Sequence, residues 1–217
     1  MPNKKESQKN KPTKLFLVDK SKKNGLLSSL RGGQTDTYEK FYKELASVPY
    51  TKDVDIVLTT HGGSALWCAK ICNILKNRTG RSRIFVKWYA HSAGTVIALT
   101  GKELYITPDT TFSAIDAQGF PFSDLLQTSI QRLSKLVNDP RNAFIEMNNE
   151  RAKYFRTMIE KNLNEKLHNK ELVMKNMHDD SPIHEQLFFR EEMDAIGIKY
   201  KIWDGETFPK NENTVVV

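Results

Sequence analysis

Cysteine is scarce in this chain of 217 residues: there are two, Cys68 and Cys72, four apart in an apolar helical pattern. That spacing sets both thiols on one helix face, where they read as small core residues in a reducing compartment. A metal centre would need further ligands, so neither a metal nor any other cofactor is expected. Long apolar runs are missing too, and none reaches the ~18 residues that a membrane span requires. The opening "MPNKKESQKNKPTK" is lysine-rich and lacks the apolar segment of a secretory signal. The expectation is a cytoplasmic protein without a membrane segment.

Acidic charge is in deficit, with a net charge of +7. Residues 1–23 hold eight lysines against Glu6 and Asp19, so nearly all of that excess sits there and the remainder is close to neutral. The basicity is a solvated tail and not a face of the fold, and no specific nucleic-acid binding is expected from it.

What is present fits one sizeable α/β domain. Residues 1–13 read as a flexible basic tail and 14–205 as a single domain. Within it, 14–120 form an α/β core and 121–205 a mainly helical part; residues 206–217 read as a polar tail. "KLFLVD", "DVDIVLTT", "RIFVKWYA", "ELYIT", "TFSAI" and "KYKIW" read as strands. "DVDIVLTT" lacks sustained alternation, as expected of a strand covered on both faces. Between them, "DTYEKFYKELASV" opens with the capping-box pair Asp36 and Glu39, and "SALWCAKICNILKNR" repeats apolar residues at helical spacing. "SAGTVIALTG" is a short helix that ends at Gly101. Alternating strands and helices point to a largely parallel sheet. From Ser123 to about Leu172 the pattern is helical with a break near Pro140, and "HEQLFFREEMDAIGI" reads as a further helix.

Two glycine-bearing turns fall where a strand gives way to a helix: "TTHGGSA" and "YAHSAGT". In a parallel sheet both lie at the carboxyl ends of their strands, where open α/β sheets bind ligands. Gly62 and Gly63 let backbone approach a substrate closely, and the N–H of Ala93 belongs to the first turn of a helix, where donors are unpaired. Ser92 would present its hydroxyl to the same place, which is acyl-transfer geometry. Serine is also among the commonest helix N-caps, and local spacing leaves both readings open.

"DIVLTTHGGSALWCAKICNILK", "VKWYAHSAGTVIALTGKELYITPDTTFSAIDAQ" and "MHDDSPIHEQLFFREEMDAIGI" together resemble the serine dehydrogenase proteinase family. That family is a branch of the superfamily that holds the Clp-type peptidases, signal peptide peptidase A and the crotonases. The resemblance runs from about Val54 to Ile198. It implies a Clp protease/crotonase-like α/β fold, with ββα and βαβ units and a helical C-terminal half. It also implies a triad in the chain order Ser92, Asp116, His178. Ser92 would be the nucleophile, His178 the base, and Asp116, in "SAIDAQ", the acidic member that fixes the imidazole tautomer. Gly62, Gly63 and Ala93 would form the oxyanion and substrate-binding backbone.

The chain departs from the family pattern at His61, which stands where a proline precedes Gly-Gly, and at His91, beside the serine. Either imidazole is a candidate auxiliary to His178. His168 and His184 read as surface residues, His184 being a competitor to His178 as base. A serine–lysine dyad would draw on Lys153. The function implied is a serine hydrolase, a peptidase acting on a peptide or protein substrate and assembling as a homo-oligomer, with Phe188 and Phe189 either at its interface or in the core. The alternatives are a non-catalytic scaffold or peptide-binding subunit of the same fold, and a crotonase-like acyl-CoA enzyme, for which no acidic pair is well placed.

Overall fold

The computed structural model describes residues 11–19, 33–115, 153–154, 156–179 and 186–208, with backbone alone for 33–36. Asp116, His184 and the helical pattern expected between Ser123 and residue 150 lie outside these residues.

Parallel pairing of β1 (Thr13–Val18), β2 (Val54–Thr60), β3 (Ser82–Ala90), β4 (Glu103–Ile106) and β7 (Lys201–Ile202), in the order β1-β2-β3-β4-β7, makes the sheet. β5 (Thr111–Ser113) pairs with β3, and β6 (Leu187–Phe188) runs antiparallel to β5, giving seven strands among the described residues. β2 is buried along its whole length, in keeping with its β-branched and aliphatic character outside Asp55, whose charge is paired with Arg83. β1 alternates: Leu15 and Leu17 point into the main core while Phe16 and Val18 are exposed.

Helices α1 (Gly33–Ser47), α2 (Ala65–Asn77) and α3 (Ala93–Thr100) cover one face. Tyr38, Phe41, Leu45, Ile71 and Leu75 close against Leu17, Ile56, Leu58 and Ile84 there. A smaller aromatic cluster of Phe85, Tyr105 and Trp203, joined by Val57, lies apart from that core. All eight residues of α3 are buried, as an apolar helix must be when it is surrounded by protein. Cys68 and Cys72 are fully buried in the main core, as their spacing implies.

The second half differs from its sequence pattern in three places. The apolar stripe predicts helix through about Leu172. Instead the helical residues 156–162 (α4) stop, and a turn occupies 163–169. Asn164 takes the carbonyls at the end of α3: its N–H donates to Leu99 O at 3.1 Å and its Nδ2 to Gly101 O at 2.8 Å. His168, read as a surface residue, is buried at 3% exposure, its Nδ1 accepting from Lys199 N. "QLFFREEMDA" is not one helix. Leu187 and Phe188 pair with Ser113 and Phe112, and α6 begins only at Arg190 (Arg190–Ala195); the edge of β5 offers partners that a helix would leave unpaired. Between these lies α5 (Lys170–Met174), which runs on as a π-helical turn, Lys175–Asp179. Phe188 is buried and Phe189 exposed.

Candidate active site

β3 forks at its carboxyl end. Arg83–Val86 pair with β4, whereas Tyr89 and Ala90 pair with β5. On the other side the register with β2 shifts between Leu58 and Thr60, so that Lys87, Trp88 and Tyr89 face the single residue Thr59. This is a bulge, the device by which a strand bends and re-aims the residues beyond it. Trp88 within it takes a left-handed φ of 76°.

Ser92 comes just after the strand, at φ 49° and ψ −117°, and its side chain makes no cap bond to α3. A non-glycine residue rarely holds such a backbone, and it persists only when its surroundings over-determine it. Here they do. Ser92 N donates to Ser113 Oγ at 2.8 Å, His91 N to Thr60 O at 2.9 Å, and Gly94 N to His91 O at 2.8 Å. Thr95 Oγ1 donates to Ala90 O at 2.7 Å and accepts from Ser113 N at 3.4 Å. The N-cap alternative for Ser92 is thereby removed: the backbone has turned the wrong way for it, and the half-buried hydroxyl has no hydrogen-bond partner among the described residues.

The turn after β2 is locked against this one. Gly62 has φ 103°, and a Cβ there would meet both His91 O and Ser92 Cβ at 2.9 Å and Ala93 N at 3.4 Å. Gly94 approaches Thr60 equally closely, a Cβ there meeting Cγ2 at 2.6 Å. Both glycines are required by the contact between turns. Gly62 N is used internally, donating to Thr60 Oγ1 at 3.1 Å. The N–H groups of Gly63 and Ala93 have no hydrogen-bond partner among the described residues.

Three supporting residues are not evident from the motifs alone. Asp19, at the end of β1, accepts from His61 N at 2.6 Å and from Thr60 Oγ1 at 3.0 Å. The Tyr38 hydroxyl stands 3.3 Å from the same Thr60 Oγ1. Burial pushes Tyr38 well above the usual phenol range, so it stays neutral. Ser113 is hidden in an apolar strand. Asp19 does carry a sequence signal, since a carboxylate that ends a strand beside a Gly-Gly turn faces that turn's N–H groups.

The remaining histidines separate. His61 is exposed and stacks on Tyr89 at 4.4 Å, with His91 5.6 Å away. His91 Nε2 lies 3.1 Å from Thr111 Oγ1. Lys153 is exposed. His178 stands on the π-helical turn, which is tied to the strand beyond Ser113 because Ile115 N donates to Met177 O at 2.8 Å. Its Nε2 is buried without a partner among the described residues. The Cys68 thiol, 3.4 Å from Ala93 O, is pushed up by its hydrogen bond with Cys72 and by burial, so it is no rival nucleophile.

The model of the ClpP-like SDH-type serine proteinases matches residues 30–202. The chain belongs to that family. That family is one of ClpP-like serine proteinases, and the chain has its ClpP-like α/β fold. Among curated relatives, it is 29% identical over 80 residues to uncharacterized protein MJ0137 of Methanocaldococcus jannaschii, a match covering 37% of this chain and 28% of that protein. It is 23% identical over 103 residues to uncharacterized protein MJ1495 of the same organism, covering 46% and 35% respectively. The match thus spans about a third of the length of these relatives. Among the described residues no helix is long and apolar enough to cross a membrane, and no group of three or more His, Cys, Asp or Glu is placed to hold a metal ion.

Proposed function

We propose that this chain hydrolyses peptide bonds through an acyl-enzyme on Ser92. The observation that carries the reading is the strained backbone of Ser92, which leaves the hydroxyl uncommitted beside two unpaired N–H groups. Ser92 Oγ attacks the scissile carbonyl carbon while its proton passes to His178 Nε2. The carbonyl oxygen, now anionic, accepts from Gly63 and Ala93 N–H. Gly62 permits the close approach of the two turns. His178 then gives its proton to the leaving amine, and water, deprotonated by the same nitrogen, releases the acyl group. Asp116 as the acidic member rests on the family resemblance. His61 and His91, joined to Tyr89 in one aromatic cluster, border the turns and serve as substrate-facing auxiliaries. The substrate is a peptide or protein and the working unit a homo-oligomer, with exposed Phe189 at its interface.

A fluorophosphonate probe tests this directly. Wild-type protein is expected to take up one label and Ser92→Ala none. Absence of Ser92-dependent labelling across the pH range sinks the hydrolase and favours a non-catalytic scaffold of the same fold.

A further inference from the structure

The imidazole of His178 already has a carboxylate, and it is the neighbouring residue. His178 Nδ1 lies 2.9 Å from Asp179 Oδ1. Asp179 is clamped in turn from α4, where Arg156 donates Nη1 to Asp179 Oδ1 and Nε to Glu160 Oε1 at 3.1 Å. Asp179 is 33% exposed, but the His178 side chain is only 12% exposed and its Nε2 is sealed from water with no partner among the described residues. A ring whose Nδ1 faces a carboxylate carries its proton on Nδ1, which leaves the Nε2 lone pair as the base. π-helical turns recur at functional sites. This one is linked to the turn of Ser92 through one stretch of chain, in which Ile115 N donates to Met177 O and Ser113 Oγ accepts from Ser92 N.

Resting on the reading of Ser92 and His178 as nucleophile and base, we propose that Asp179, held by Arg156, is the carboxylate that orients His178, and that Asp116 is not needed for that task. Asp179 is a positioning residue and takes no proton. The serine proton moves from Ser92 Oγ to His178 Nε2, the Nδ1 proton stays on the ring, and the resulting imidazolium is steadied by the Asp179 anion. Asp179 on its own turn contacts the ring, and Arg156 of α4 joins Asp179 to Glu160. Burial works to raise the Asp179 carboxyl, but the hydrogen bonds and charges of Arg156 and His178 outweigh it and hold the group below the usual Asp range.

The test is the rate at which a fluorophosphonate modifies Ser92 in the full chain. Asp179→Asn is expected to slow labelling at least about tenfold. Asp179→Glu restores most of the rate, and Asp116→Asn stays within about threefold of wild type. The ¹⁵N shifts of the His178 ring give a readout independent of labelling, with the Nδ1–H tautomer expected in wild type and retained in Asp116→Asn. A slow Asp116→Asn beside a wild-type-like Asp179→Asn overturns the assignment while leaving the Ser92 reading intact. An Nε2–H tautomer in the wild-type chain overturns it as well. A wild-type chain that shows no Ser92-dependent labelling removes both.

Discussion

The turn that carries Ser92 is held by uncharged hydrogen bonds from main chain and buried hydroxyls, whereas the turn that carries His178 is held in part by charged side chains. Around Ser92 the partners are the carbonyls and N–H groups of β2, β3 and α3, together with the buried hydroxyls of Thr60, Thr95 and Ser113. Glycine contacts leave that geometry no slack. Around His178 the ties include a backbone bond at Met177, the bonds of Lys175 N and Asn176 Nδ2 back into α5, and the chain of charge from His178 through Asp179 to Arg156, whose carboxylate and guanidinium are 33% and 43% exposed. Exposed ion pairs are weak and screened by salt. The contrast teaches that the proposed nucleophile is preorganised by folding itself, while the proposed base is set by an adjustable link that one substitution can release.

The largest effect expected from breaking this comparison is at the nucleophile. Ser92→Ala should lower peptidase turnover by at least about 10⁴-fold with the thermal midpoint unchanged, measured on a fluorogenic peptide mixture and by calorimetry.

At the far end of the same two strands, Asp55 and Arg83 form a buried pair at 2.7 Å. Asp55→Ala removes the carboxylate paired with the buried guanidinium and should cost about 3–5 kcal/mol in urea unfolding. Labelling of Ser92 per folded molecule should not change.

His168 supplies an acid-sensitive element remote from the chemistry. Burial lowers its pKa from 6.5 to about 4. Between those values the unfolded chain binds a proton that the folded chain refuses. Stability is therefore complete above pH 6.5 and falls as pH drops toward 4, by on the order of 3 kcal/mol. His168→Phe should flatten that slope in thermal melts across pH.

The mildest break is at the contact between turns. Gly62→Ala forces a side chain into a left-handed backbone against His91 O and Ser92 Cβ. It should reduce turnover roughly 10²-fold by displacing the turn, and lower stability by about 1–3 kcal/mol.

Much of the fold is written locally. β2 and β3 announce themselves as β-branched and aromatic runs, and α2 as an apolar stripe, so the junctions that hold Gly62 and Ser92 can be located from sequence. The conformation at Ser92 cannot. "HSAG" is as good a cap as it is a nucleophile turn, and the φ of 49° is imposed by Thr60, Gly62 and Ser113 from other elements. His168 sits in a run of charged and amide residues that reads as solvent-facing, yet its partner is the backbone of Lys199, thirty-one residues on. The same limit hides β6: Leu187 and Phe188 keep a helical apolar spacing, and only the free edge of β5 converts them to strand. Asp179 does not stand out in the sequence because the family resemblance points to Asp116, while the link from Asp179 to Arg156 spans a turn and a helix.

The central claim is that Ser92 and His178 work as one couple, and a peptidyl chloromethyl ketone tests it most directly. Such a reagent bonds to the serine through its carbonyl and alkylates the base nitrogen that faces it. Peptide mapping by mass spectrometry should find the alkyl group on His178 in wild-type protein and lose it in Ser92→Ala. An adduct on His61 or His91 in its place, or none on any histidine while fluorophosphonate still labels Ser92, would contradict the account.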